Sequence, residues 1–308
     1  MYLRVLSFCA LLLMLPLISF SQVIEENLSR SGSIYSGFGL GMPVNNNSSN
    51  TNGMGLTGVS TYSPFAPSLS NPAQWGKSEF SQGQVTLGLT NYNTSDSFAS
   101  AQNSRFTFES FQFVFPLLRN KLGASISFTP VTRADFASVN RGTLENSDFI
   151  SPVDFVTTTV GAGGINRIEL GIGYQFNDNI SIGYAGSTYL STITEEISTT
   201  FSDLGFQRAG QPPVIDKKIS GAGFGNRFGI FTQADQLFRD NDRMSLSAAV
   251  NLPVKISTDR SFETFRIVEG FNERVEVNEA TTGTNGTLKL PLEFNSGVTY
   301  YLNPYHSF

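Results

Sequence analysis

Few side chains in these 308 residues could carry covalent chemistry. His306 is the single histidine and Cys9 the single cysteine. A zinc site needs several imidazole or thiolate ligands, and a Ser-His-Asp arrangement needs a histidine that the fold brings to its partners. The 25 acidic residues are scattered over polar segments, and no pair stands out as a general acid and base. No enzyme activity, metal or cofactor is therefore expected. Gly221, Gly223, Gly225 and Gly229 invite a phosphate-loop reading, which needs a strand before them and a helix after. They lie instead within strand-like sequence at a spacing of mostly two, where glycines clear one face for close approach by a plug or an aromatic. Gly171, Gly173 and Gly183 read the same way. Arg167 and Glu169 are charges on one face of a strand, expected to pair with a neighbouring strand or with a plug. Trp75 is expected to pack such a plug against a wall. Asn47-Ser48-Ser49 has the spacing of a glycosylation acceptor and reads as a polar loop.

The elements that position these residues begin with an export signal. Arg4 precedes a near-continuous apolar run, Val5–Leu15, and Ser19 and Ser21 are small residues ahead of a cleavage before Gln22. The run is too short to span a bilayer as a helix, which takes about 20 residues. Cys9 sits inside the run with almost no hydrophobic stretch ahead of it, unlike a lipidation site, and cleavage removes it. Charged residues make up 15%, below the roughly 25% usual in soluble proteins. Twenty-seven Phe and ten Tyr against one Trp suit strands and interfacial girdles. The net charge of −5, with no basic stripe, argues against a nucleic-acid partner.

The register changes near residue 80. Residues 22–80 are rich in Gly, Asn and Ser, with Pro64, Pro67 and Pro72 breaking regular structure. From 81 onward, segments of about ten residues alternate apolar and polar. Strands are expected at 83–93, 105–117, 121–131, 167–176, 180–190, 218–234, 242–257 and 287–302. Loops are expected at 132–164, 191–216 and 258–286, the last with a hairpin around Arg274–Glu279, and a tight turn at Asn177-Asp178-Asn179. In the second strand, strict alternation would put Phe106 and Phe108 on one face and Phe111, Phe113 and Phe115 on the other. The slip near Glu109–Ser110 is what a β-bulge would produce. Ile168, Leu170, Ile172, Tyr174 and Phe176 oppose Arg167, Glu169 and Gln175. Charges behind a clean apolar row fit a lipid face backed by a polar lumen better than a sandwich core. The fold class expected is thus all-β, a transmembrane antiparallel β-barrel (81–308, incomplete) preceded by a plug (22–80) and a signal peptide (1–21). The last strand-like run stops at Phe308, short of the roughly 9–11 residues a spanning strand takes, so the barrel reads as truncated.

Three stretches resemble the FadL family of outer-membrane long-chain fatty acid transporters, in its Bacteroidetes form. They are Ser36–Gly41 with Gly53–Val59 and Ser70–Ala73; Gly221–Phe231 with Asp242–Val254; and Leu290–Asn303. The resemblance implies a fourteen-stranded barrel, of which about nine strands are present here, with an N-terminal hatch whose motif is Asn71-Pro72-Ala73. It implies passage of hydrophobic small molecules such as fatty acids or hydrocarbons, leaving sideways at a kinked strand, for which the Glu109–Ser110 slip is a candidate. Phe38, Leu40, Met54, Leu56 and Phe65 are the ligand contacts it would assign. The location implied is the cell outer membrane, with membrane lipid as a further partner. An alternative within the same fold is a scaffold of a type IX secretion or surface-display system, with secretion proteins as partners. A soluble secreted β-sandwich is the third reading, and it would turn its apolar rows inward.

Overall fold

A computed structural model describes residues 34–44, 47–53, 55, 58–95, 100–144, 152–202, 213–268, 273–282 and 285–302. The signal segment, Met54, Leu56, His306 and Phe308 lie outside them. Among the described residues helix is confined to short pieces: 3-10 turns at Ile34–Gly37 and Pro72–Lys77 and one helical turn at Ser49–Gly53. All described strands join one antiparallel sheet. They are β1 (Met42–Pro43), β2 (Gln82–Ser95), β3 (Ser100–Leu118), β4 (Leu122–Arg133), β5 (Phe136–Leu144), β6 (Val153–Asn177), β7 (Ile180–Phe201), β8 (Val214–Asp235), β9 (Arg243–Asn251), β10 (Val254–Val268), β11 (Glu273–Thr282), β12 (Gly286–Leu290) and β13 (Glu293–Tyr301). The path runs β11-β10-β8-β7-β6-β4-β3-β2, with β9 joining β8 to β13 and β12 lying on β10. The sheet forms a half-barrel. Among the described residues β2 pairs only with β3, so the sheet does not close on itself within them.

The strands are longer than the apolar alternation predicts. Segments expected as loops at 132–164 and 191–216 contain β5, the first half of β6, the end of β7 and the start of β8. These extensions are rich in Thr, Ser and Val, such as Thr157-Thr158-Thr159 and Ser198-Thr199-Thr200, which suit extended backbone. They carry no apolar face, so hydrophobic periodicity is silent there. The expected hairpin near 274–279 is present as β10–β11. Asn177 closes the β6–β7 turn, its Oδ1 accepting the N–H groups of Asn179 and Ile180 at 3.0 and 2.8 Å.

The expected bulge in β3 is present. Thr86 faces Ser110 and Leu87 faces Phe108, leaving Glu109 as the extra residue. The slip brings Phe106, Phe108, Phe111 and Phe113 onto one exposed face, while Thr107, Ser110, Gln112 and Val114 are buried on the other. The buried face, which receives the N-terminal segment, is called inner here. The outer face exposes Leu87, Ile126, Leu170, Ile172, Ile182, Tyr184, Phe228, Ile230, Leu246, Phe294 and Val298. A β-sandwich would place such rows inward.

Two expected strands are each broken by a proline. The run 242–257 divides into β9 and β10 at Leu252-Pro253, and 287–302 divides into β12 and β13 at Pro291-Leu292. Asn251 pairs with Glu293 and Val254 with Leu290, so the breaks stand opposite each other. Proline has no N–H to give to the ladder. The side-chain phase inverts at this point. Ser245, Ser247 and Ala249 are buried on the inner face of β9, whereas Val254, Ile256 and Thr258 are buried at the start of β10. With Ile165 and Tyr189, Val254 and Ile256 form an apolar cluster, against which Leu40, Val131, Leu288 and Leu290 pack. Lys255 and Ser257 are the exposed neighbours. Along β9–β10 the apolar residues therefore lie outside before the break and inside after it, while the outer face of β6–β8 stays apolar past that level at Ile168, Leu190 and Phe224.

Candidate functional site

The inner face carries a seat built from glycines. Four of them are direct cross-strand partners in one row: Gly123 of β4, Gly173 of β6, Gly183 of β7 and Gly229 of β8. Together they form a trough one side chain deep across four strands. Into it lies the 3-10 turn Pro72–Lys77, every residue of which is buried. A methyl group added at Gly173 would stand 2.5 Å from the Gly76 nitrogen and 2.6 Å from the Pro72 oxygen. At Gly123 it would collide with the Trp75 carbonyl, at Gly183 with Pro72 and Ala73, and at Gly229 with the Asn71 side chain. Gly171 makes room for the Trp75 ring, 2.5 Å from a Cβ built there. Gly225 is covered by Tyr189 and Val254. Gly123, Gly173, Gly183 and Gly229 thus admit the N-terminal segment and Gly171 and Gly225 an aromatic, whereas Gly221 and Gly223, expected to do the same, lie against β10.

The Asn71-Pro72-Ala73 motif explains how the segment holds its shape. Asn71 is the N-cap, its Oδ1 accepting the Ala73 N–H at 3.0 Å, and Pro72 supplies a preset φ at the first helical position. The Asn71 amide nitrogen donates to the carbonyls of Val59 and of Ile230 on β8, at 3.3 and 3.1 Å. One side chain therefore caps the turn, ties it to the preceding loop and ties both to the wall. Trp75 Nε1 donates to Ser68 O at 2.8 Å and Gln74 Nε2 to Val59 O at 2.8 Å. From the wall, Ser247 and Ser245 donate to the carbonyls of Val59 and Ser60 at 2.5 and 2.8 Å. Gln112 Nε2 donates to Ser68 O at 3.1 Å. The inner face needs polar residues because the irregular segment offers it backbone carbonyls.

Above the trough lies a buried ion pair. Glu169 of β6 pairs with the Arg227 guanidinium of β8, both nearly inaccessible. Ser187 Oγ donates to the second Glu169 oxygen at 3.0 Å. Arg227 Nη1 reaches the Leu69 carbonyl of the plug segment at 2.7 Å. Arg167 Nε donates to Thr129 Oγ1 at 3.2 Å. Glu169 therefore pairs with a nearby strand and, through Arg227, is linked to the N-terminal segment. The role of Arg227 was missed. Its signal was available in the spacing, because Arg227 falls on the same face as Gly225 and Gly229.

Lys77 closes the far end of the turn. Its ammonium contacts Gln233 of β8 and lies 5.0 and 4.9 Å from the ring centres of Tyr62 and Phe231. Burial, then the Arg243 charge, brings the amine down to about 8 against the pull of Asp235 and Asp178. Tyr62 donates to the Lys77 carbonyl at 2.9 Å, and burial, then Glu79, pushes its phenol up to about 12.

The residues expected to contact a hydrophobic ligand do not converge. Phe38 and Phe65 are 72% and 81% exposed, and Leu40 packs on the apolar cluster behind the proline breaks. The cavity within the N-terminal segment, lined by Ser48, Thr51, Ser63 and Ser70 among others, is only about 10 Å³.

A family model described as BamG matches residues 6–304. No curated protein and no solved structure matches. The match corrects the resemblance to FadL-like transporters, and with it the expected transport of fatty acids or hydrocarbons and the expected small hydrophobic partners. It equally corrects the alternative of a type IX secretion scaffold. The physical reason is visible in the motifs that carried the resemblance. Asn71-Pro72-Ala73 and Gly221–Phe231 encode the fit of a segment against a wall, and nothing in that fit specifies a cargo.

Proposed function

The chain belongs to the BamG family, and from that premise we propose that it is an outer-membrane component of the BAM machinery that assembles outer-membrane proteins. The family is associated with the outer membrane, in agreement with the export signal. The observation that carries the reading is the family match along nearly the whole chain.

The geometry supports a part that is held in the bilayer and works through its surfaces. The apolar outer row of β7 runs from Ile180 to Leu190, about 33 Å along a strand. At a tilt of about 40° that is about 25 Å of height, the thickness of a barrel's apolar band. The inner face is filled by the Pro72–Lys77 turn and by the Glu169–Arg227 pair rather than lined for passage. A sheet whose inside is committed to its own plug has its rims and outer wall left for partners. Residues 81–308 belong, in this reading, to a plugged transmembrane barrel, and no catalytic step is assigned to it. Asn71, Pro72 and Ala73 act as the anchor of the plug.

The test is purification of the tagged protein from outer membranes solubilised in mild detergent. BAM components should copurify in stoichiometric amounts. Recovery free of BAM components after cross-linking in intact cells would contradict the reading.

A further inference from the structure

The bulge in β3 aims an acid into a cavity. Glu109 is the extra residue between Phe108 and Ser110, and such bulges re-aim a side chain away from the regular ladder. Its carboxylate turns over Gly88, where any Cβ would collide with it. The Phe108 carbonyl beside the bulge is taken by the Arg133 guanidinium. The cavity beyond has a volume of about 180 Å³, and its charged lining is Arg105, Glu109, Arg133 and Asp135, with Ser36, Thr90 and Thr107 beside them.

The charges around it are not equivalent. Arg105 pairs with Asp135, whose other oxygen accepts the Gly163 N–H at 3.1 Å. Arg133 is committed to the bulge carbonyl. Glu109 alone among these four makes no hydrogen bond or ion pair within the described residues. A bulge, a glycine and a captured carbonyl combine to hold one unpaired carboxylate at a cavity wall. We propose that this cavity binds a cationic nitrogen group, a primary ammonium or a guanidinium, with Glu109 as its counter-ion. The hydroxyls of Thr90 and Thr107 stand beside it as neutral acceptors. The inference stands apart from any role in protein assembly, because it rests on this cavity alone.

Such a group could come from a free amine or from a lysine or arginine of a protein. The experiment is calorimetric titration of the purified full chain with agmatine and with a short peptide bearing one lysine, the acetyl-lysine peptide serving as control. Binding of either cation, weakened about tenfold or more by Glu109→Gln, supports the proposal. Glu109→Gln keeps the side chain's size and so keeps the bulge. Gly88→Ala, which crowds the carboxylate, should weaken binding likewise. Tighter binding of the peptide identifies a protein as the source, and tighter binding of agmatine a free amine. Failure of both cations to bind the unaltered chain, or equal binding by Glu109→Gln, overturns it.

Discussion

Gly173 shows how much one absent methyl group decides. Its Cβ would occupy the place of the Pro72 oxygen and the Gly76 nitrogen, both backbone atoms that cannot turn aside. Gly173→Ala is expected to lift the turn from its seat and destabilise the fold by about 1–3 kcal/mol, read from thermal melting and from protease cleavage within 72–77. Gly186→Ala is the control. Its Cβ would meet only the Tyr184 hydroxyl at 3.7 Å, and stability should hardly change. The Glu169–Arg227 pair gives a second prediction. Arg227→Met leaves a buried carboxylate uncompensated and should cost about 3–5 kcal/mol, whereas Arg227→Met with Glu169→Gln should recover much of it. Lys77 gives a third. Because its amine titrates near 8 in the folded chain, below the ordinary lysine value, it loses its proton before the unfolded chain does. The cost of burying the charge is present in full below about pH 8 and fades as pH rises towards about 10.5, so stability should rise across that window. The rise is on the order of 3 kcal/mol at most, and denaturant melts of Lys77→Met should lack it.

At the scale of elements, the proline breaks invert the side-chain phase of the strands they interrupt. Below Leu252-Pro253 and Pro291-Leu292 the apolar residues face out, and beyond them Val254, Ile256, Leu288 and Leu290 face in. Single cysteines in a Cys9→Ser background should report this. Leu246→Cys is expected to resist a membrane-impermeant maleimide in intact outer membranes, whereas Lys255→Cys should be labelled; equal labelling at both would refute the inversion. The breaks also mark where the sequence stopped being readable. Strict alternation carries Met244 to Ile256 as one row, and nothing in period-2 counting reveals that Pro253 inverts it. The prolines themselves were the available signal. The β3 slip was readable because four phenylalanines recorded the phase on both sides of Glu109. The extensions of β5–β8 were unreadable because Thr- and Ser-rich strands with no apolar face leave no periodic trace. The glycine row lay between these cases. Its residues stood out at strand spacing, but that Gly123, Gly173, Gly183 and Gly229 align across four strands depends on register, which no single strand contains.

For the whole molecule, the half-barrel and the family membership support the proposed role in the assembly of outer-membrane proteins. The same glycine-rich, hatch-like texture led the sequence towards a transporter, because a plug's fit against its wall looks alike whatever the protein does. The account therefore rests on partners and on their output, and depletion of the protein in growing cells tests that output most directly. Pulse-labelled outer-membrane β-barrel proteins are followed by their heat-modifiable folding, alongside uptake of labelled fatty acid as a comparison. The account predicts that folded barrels fall while their unfolded precursors accumulate, ahead of any change in uptake. Unchanged barrel assembly after complete depletion would contradict it.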